Sequence, residues 1–176
     1  MVPIVRPATP ADLPELAAVA ALTFPLACPP HTTDEAKAAF IAAHLTETSF
    51  AGYLADPARD VLVAVDADAI AGYVMLVAGE PTDADVAAAI RIRPTVELSK
   101  CYVHPEHHGA GVAGTLMDAA LDAARTRGAA GVWLGVNQEN GRAQAFYGKH
   151  GFERVGVKRF LVGERYEDDF VYERAL

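Results

Sequence analysis

The feature that most constrains this chain is a run of small residues between a strand pattern and a helix pattern. The run follows the alternating segment Thr95–Val103 and precedes an Ala- and Leu-rich segment that ends at Gly128. Small residues at such a junction let successive backbone N–H groups approach an anion, and the N-terminus of the following helix favours negative charge. The pattern therefore predicts a phosphate cradle formed by His108, Gly109, Ala110, Gly111, Val112, Ala113 and Gly114.

Gly109, Gly111 and Gly114 also satisfy the dinucleotide-binding pattern G-x-G-x-x-G. That pattern is followed about 20 residues later by an acidic residue that binds the ribose. Here residues 135–137 are Gly, Val and Asn, so the acidic residue is missing. Several predicted elements also precede the loop, whereas a first dinucleotide-binding unit opens its sheet. We therefore disfavour a dinucleotide site.

Strands and helices alternate around the loop in an order that indicates an α+β fold. The segment 79–92 is expected to be a loop with one helical turn. The strand, loop and helix in the middle of the chain predict one parallel crossover within a mixed, mostly antiparallel sheet. At this length, residues 1–176 are expected to form a single domain. Strands are predicted near residues 2–6, 61–65, 70–77, 95–103, 131–136, 152–162 and 165–174, and helices near residues 13–22, 33–53, 111–126 and 140–150.

Charge and apolar content exclude several classes of partner. The chain has 15 Lys and Arg against 23 Asp and Glu, a net charge of −8, and no basic run of the kind that binds a phosphate backbone. No apolar run approaches the roughly 20 residues that span a bilayer. Two cysteines, Cys28 and Cys101, are too few for a disulfide framework. We expect a cytoplasmic protein that binds neither nucleic acid nor membrane.

Two motifs resemble the GNAT superfamily of acetyl-CoA-dependent N-acetyltransferases. The family's first signature is Gln or Arg, two residues, Gly, one residue, and Gly or Ala. His108, Gly111 and Ala113 stand at those places, with His in place of Gln or Arg. The second signature, N-x-x-A-x-x-F-Y-x-K-x-G-F, is matched without a gap from Asn140 to Phe152. The resemblance extends over essentially the whole chain, and the segments 133–136, 160–163 and 168–169 are similar to the PaiA-type polyamine acetyltransferase branch.

The resemblance implies a GNAT-like fold, with helices flanking a twisted sheet, and acetyl-CoA as cosubstrate. It implies that the pantetheine arm pairs with the backbone of Cys101, Tyr102 and Val103, and that the Val103 N–H stabilises the developing oxyanion. It makes Tyr147 both a cofactor contact and the general acid, since a phenol is protonated at neutral pH. Asn140 is expected both to cap its helix and to contact the cofactor.

The resemblance does not identify a general base in this chain. Some relatives place a glutamate on the strand before the second motif, where this chain has Gly135. Glu97 is the substitute, because simple alternation puts it on one strand face with Cys101 and Val103 and opposite Tyr102. From sequence alone, a structural glutamate is an equal alternative. Asp168 and Asp169 are of the right charge to attract a cationic acceptor, but acidic residues are more often solvated.

We expect no metal at His104, His107 and His108, because these residues lie in the proposed cradle and imply no fixed ligand geometry. The predicted activity is acetyl transfer to a small primary amine, with polyamines as the favoured class. An acyl-CoA-responsive sensor domain with little turnover is the alternative. An antibiotic, an amino acid or a protein N-terminus stays open as acceptor. The resemblance also implies a homodimer through the last strands.

Overall fold

The computed structural model describes residues 2–176, without the side chain of Phe160, and within them the chain forms one seven-stranded sheet. The sheet order is β1-β2-β3-β4-β5-β7-β6, and every neighbouring pair is antiparallel except the parallel pair β4 and β5. The predicted α+β class and its central parallel crossover are confirmed. The strands are β1 (Ile4–Pro7), β2 (Arg59–Asp66), β3 (Ala69–Ala78), β4 (Thr95–Val103), β5 (Gly131–Asn137), β6 (Glu153–Val162) and β7 (Arg165–Ala175).

Helices cover both faces of this sheet. We call the side covered by α5 and α6 the α5 face, and the opposite side the α1 face. None of the helices in residues 2–176 combines the length and apolarity needed to cross a bilayer. The helices are α1 (Leu13–Ala27), α2 (Asp34–His44), α3 (Glu47–Ala55), α4 (Ala84–Ala89), α5 (Val112–Thr126) and α6 (Gly141–Lys149).

The strand side chains pack into separate cores on the two faces. On the α5 face, Leu116 and Met117 are fully buried against strand residues such as Leu134. On the α1 face, Leu16 and Phe50 fill a second core with the central strands. Because successive strand residues point to opposite faces, an all-apolar strand such as β3 supplies both cores at once.

The single helix predicted over residues 33–53 is two helices. Leu45 has φ −126° and ψ 25°, which is outside the helical region, and its side chain is buried. Thr46 then begins the second helix by accepting the Ser49 N–H at 3.0 Å. A threonine cap satisfies one of the free amides at a helix start, so the break costs little. Helix α1 is also longer than the predicted 13–22, since it runs past Pro25 to Ala27.

Strand β4 contains an extra residue. Leu98 pairs with Leu76 and Lys100 pairs with Met75, so Ser99 has no partner of its own on β3. Such a β-bulge bends the strand and shifts the alternation of its side chains by one residue. The bulge therefore lies in the middle of the strand that the sequence placed beside the cofactor.

The bulge overturns the expected position of Glu97. Before it, Leu98 packs into the core of the α5 face, whereas after it Cys101 and Val103 pack there and Tyr102 packs on the α1 face. Glu97 alternates with Leu98 and therefore lies on the α1 face with Tyr102, opposite Cys101 and Val103. Strict alternation predicted the reverse, because an inserted residue leaves no signal in the polarity pattern.

An ion pair ties β1 to the turn before α1 and supports a first prediction. The Arg6 guanidinium donates to both Asp12 oxygens at 2.8 and 2.9 Å, the Thr9 N–H donates to the same carboxylate, and together they lower the Asp12 pKa to about 2. We expect Asp12→Asn to reduce the free energy of unfolding at pH 7 by about 1 kcal/mol. Because the folded pKa lies below the ordinary 3.8, this contribution is lost as pH falls through that interval.

Urea titrations between pH 7 and pH 2 measure this effect. The difference between Asp12→Asn and the wild type should shrink toward zero at the acid end. Asp118→Asn, which changes an exposed carboxyl on α5, is the control and should cost almost nothing. A difference that is constant with pH would contradict the ion-pair explanation.

Candidate active site

The central parallel pair of strands separates soon after it begins. Thr95–Glu97 pair with Gly131–Trp133, after which β4 continues to Val103 and β5 to Asn137 without further pairing. The resulting gap is part of a cleft of about 630 Å³, whose lining includes residues of both sheet faces. The cleft is thus a passage through the sheet, open to an extended ligand along the unpaired edge of β4.

Backbone donors of β4 face this gap. The His104 N–H donates to the Ala71 carbonyl at 2.8 Å, which directs it toward β3. In an antiparallel pair the hydrogen-bonding direction alternates along the strand, so the N–H groups of Val103 and Cys101 point away from β3 and into the cleft. The edge therefore offers main-chain donors at two of the positions predicted to pair with pantetheine. The oxyanion role of Val103 stays a prediction that this orientation supports.

The glycine-rich loop closes one end of the cleft. Gly109 and Gly111 have φ of 82° and 79°, and a Cβ on either would meet nothing within 4 Å, so backbone conformation rather than crowding requires glycine here. Gly111 precedes α5 directly, and no side chain of the described part of the chain caps this helix start. The amides of the first turn of α5 are thus available to an anion. The predicted loop residues all line the cleft except Ala110.

His108, the departure from the family signature, turns back onto β4. Its Nε2 lies 3.0 Å from the Val103 carbonyl oxygen. A carbonyl only accepts, so Nε2 donates in this contact. The contact holds the loop against β4, and the role of His108 at the pyrophosphate stays a prediction.

The neighbouring histidines have separate partners. His104 Nδ1 accepts the Glu106 N–H at 3.2 Å, and His107 Nδ1 lies 3.4 Å from an Asp66 oxygen. Within residues 2–176, a different group brings possible metal-ligand atoms within 4.8 Å of one another, namely His31, Glu139 and Glu167. No motif in the sequence marks this group, since its members lie on three separate segments.

Helix α6 presents the second motif to the cleft. The Asn140 Oδ1 accepts the Ala143 N–H at 3.1 Å, which confirms the predicted cap, and its amide nitrogen is left for other contacts. Two turns later, Tyr147 is half-buried in the cleft wall. Burial above all, and then the neighbouring Cys101 and Tyr102, raise the pKa of its phenol well above the ordinary value. Tyr147 thus keeps its proton at neutral pH and can donate it.

Cys101 is unsuited to nucleophilic catalysis. Its side chain packs into the core of the α5 face, and burial raises the pKa of its thiol to about 12. The thiolate, which is the reactive form, is therefore absent at neutral pH. Its useful group in the cleft is the backbone N–H.

The part of the cleft on the α1 face combines an apolar wall with acidic side chains. Glu97 is half-buried, and burial raises its pKa against the opposing charges of Lys158 and Lys100. Asp169, expected from sequence to be solvated, is only 6% exposed, and burial raises its pKa to about 6. The apolar wall comes from α1, α2 and the residue after α2, with Phe24, Leu26, Phe40 and Leu45.

Similarity to known proteins agrees with this geometry. The sequence model of the Acetyltransferase (GNAT) family matches residues 24–152. A protein of Mycobacterium tuberculosis (strain ATCC 25618 / H37Rv), named an uncharacterized N-acetyltransferase, is 47% identical over 165 residues, which cover 94% of this chain and 98% of the relative.

Two solved structures share the fold. The PaiA N-acetyltransferase from Thermoplasma acidophilum in complex with coenzyme A superposes with a TM-score of 0.79 at 20% identity, over the whole of both chains. The ribosomal-protein-S18-alanine N-acetyltransferase from Escherichia coli gives a TM-score of 0.70 at 17% identity, over 98% of this chain and 93% of that one. With the family match spanning most of the sequence, the chain belongs to the GNAT family of acetyltransferases.

Proposed function

We propose that this acetyltransferase transfers the acetyl group of acetyl-CoA directly to a small primary amine in the cytoplasm, with polyamines as the favoured acceptors. The observation that carries the proposal is the passage between β4 and β5. It has a glycine loop and a helix start for an anion at one end and buried carboxylates on the α1 face. An anionic thioester and a cationic amine can thus approach the unpaired edge of β4 from opposite sides of the sheet.

The residues present fit the cosubstrate. In this proposal the loop and the first turn of α5 bind the pyrophosphate, and the main chain of Cys101, Tyr102 and Val103 pairs with the pantetheine arm. Asn140 contributes its free amide nitrogen. Metal ions have no role in this scheme. The homodimer through the last strands remains part of the proposal.

The transfer requires one bond to form, one to break and one proton to move at each end. The amine nitrogen bonds to the acetyl carbon and the carbon–sulfur bond breaks. Glu97 takes the amine proton, directly or through a water, and Tyr147 donates a proton to the departing sulfur. The Val103 N–H stabilises the negative charge on the carbonyl oxygen. The acid and the base then lie on opposite faces of the sheet, as the bulge in β4 requires.

Glu97→Gln tests the base. We expect kcat to fall about 100-fold, since a positioned base contributes two to four orders of magnitude. In the wild type, kcat should fall at acid pH with an apparent pKa above the ordinary glutamate value of 4.5, because burial raises the Glu97 pKa. In Glu97→Gln this acid limb of the profile should disappear. Glu164→Gln in the exposed turn between β6 and β7 is the control. If kcat of Glu97→Gln stays within a factor of about two, another group takes the proton.

An assay of free thiol release tests the function itself. Purified protein is incubated with acetyl-CoA and spermidine, other short amines, an aminoglycoside, amino acids or a peptide. Multiple turnovers with a short amine would support the proposal. Turnover with only one of the other acceptors would show that the acceptor is of that class and not a short amine. Tight acetyl-CoA binding without turnover would favour the sensor alternative.

A further inference from the structure

One carboxylate oxygen in the cleft has no partner among the residues that the structure describes. Asp169 lies on β7 directly opposite Asn137 of β5, and its side chain is 6% exposed. Its Oδ1 is buried and makes no hydrogen bond to any described residue. A buried polar atom without a partner costs free energy, more so when it carries charge, so its presence in a cleft wall indicates a ligand.

The neighbouring carboxylates are engaged differently. Glu167 lies 2.7 Å from His31 Nε2, and Glu139 lies 3.4 Å from His31 Nδ1. The imidazole thus occupies both of these groups. Asp168 lies one residue away but is exposed, on the other side of β7. Asp169 is therefore the buried carboxylate of this part of the cleft with an oxygen left open.

A glycine on β5 leaves room for the Lys158 side chain beside Asp169. A Cβ on Gly135 would lie 3.3 Å from Asp169 Oδ2 and 2.5 Å from Lys158 Cε. Any side chain at this position would displace one of those groups. The glycine, at the place where some relatives have a glutamate, thus makes room chiefly for the Lys158 side chain, which lies beside Asp169.

The location of Asp169 separates it from the reacting nitrogen. Strand β7 follows β5 in the sheet, and β5 has separated from β4 at this level, so β7 lies at least two strand spacings from β4, about 10 Å or more. The acyl group is proposed to lie along β4. A group bound at Asp169 is therefore a different part of the acceptor from the amine that attacks.

We propose that Asp169 binds a second cationic group of the acceptor and so selects diamines over amines that end in an apolar group or a carboxylate. This inference rests on the proposed function and adds a residue that determines specificity. An ammonium donates a charge-assisted hydrogen bond to Oδ1, which the folded protein otherwise leaves unsatisfied. An acceptor with a carboxylate at that end would meet like charge.

The charged groups around Asp169 set the pH dependence. Lys158 faces it from β6 and favours its ionised form, whereas Glu167 and Asp168 on β7 oppose it, and Tyr102 faces it from β4. Burial dominates and raises the pKa to about 6. Below that pH the free enzyme holds Asp169 protonated and neutral, so the affinity for a dication should fall as pH falls through 6.

The test compares three acceptors of matched length: 1,4-diaminobutane, butylamine and 4-aminobutanoate. The wild type should favour them in that order by kcat/KM. Asp169→Asn should lower kcat/KM for the diamine at least tenfold, mainly through KM, and leave butylamine within about twofold. The variant should also lose the rise of the diamine KM below pH 6. Asp168→Asn removes the adjacent exposed charge and should keep the wild-type order.

Two further measurements distinguish a failure of this inference from a failure of the proposed function. Calorimetric binding of 1,4-diaminobutane, at pH 7.5 and pH 5, tests Asp169 even without turnover. Asp169→Glu, which restores the charge, should recover the preference if Asp169→Asn folds poorly. Equal wild-type rates with butylamine and the diamine, or an unchanged order in Asp169→Asn, would overturn the inference and leave the transferase function standing. If none of the amines causes thiol release, although the diamine binds and its binding requires Asp169, the proposed transferase function is overturned instead.

Discussion

Replacement of Tyr147 by Phe is expected to lower kcat about 100-fold, because a positioned general acid contributes that much or more. The phenol lies in the cleft wall with a raised pKa, so it holds a proton that the departing thiolate needs. The ring itself packs against the core of the α5 face, and Phe preserves that packing. The Kd for acetyl-CoA should therefore change by no more than about threefold.

Steady-state rates and calorimetric affinities, measured on the same preparations, decide this prediction. Tyr166→Phe removes a hydroxyl from an exposed tyrosine of β7 and should leave both quantities unchanged. A Tyr147→Phe variant with full activity would assign the proton donation to another group. A parallel loss of acetyl-CoA affinity would make Tyr147 a binding residue instead.

Gly111→Ala is expected to weaken acetyl-CoA binding about tenfold or more. The residue has φ of 79°, where an alanine costs roughly 1–2 kcal/mol, and 1.4 kcal/mol corresponds to a factor of ten. Relief of that strain would move the backbone at the start of α5. The amides proposed to bind phosphate would then point in other directions, so acetyl-CoA would bind more weakly.

The opposite end of the same helix offers a matched control. Gly128 has φ of 77°, and a Cβ there also meets nothing within 4 Å, but it follows α5 rather than preceding it. The two glycines are separated by about 22 Å of helix. Gly128→Ala should thus lower the melting temperature as much as Gly111→Ala does and leave the Kd for acetyl-CoA unchanged. Equal losses of affinity in both variants would indicate a general effect of instability.

Features that depend on neighbouring residues could be predicted from the sequence. The glycine loop, the start of α5 and the Asn140 cap are local, because backbone conformation and short-range hydrogen bonds determine them. The order of strands and helices around the loop also restricted the topology, since a parallel crossover needs an intervening helix. The fold class and the family followed from these patterns.

Three features of the site were decided by the tertiary structure. The bulge at Ser99 moved Glu97 to the α1 face, and nothing in the polarity pattern marks an inserted residue. Leu45, whose side chain is buried in the core, interrupts a segment that the sequence predicted as one helix. From the sequence alone, Asp169 is expected to be an ordinary solvated surface acid. Only the pairing of β7 with β5, which places Asp169 opposite Asn137, buries that carboxylate in the cleft and leaves one of its oxygens without a partner among the described residues.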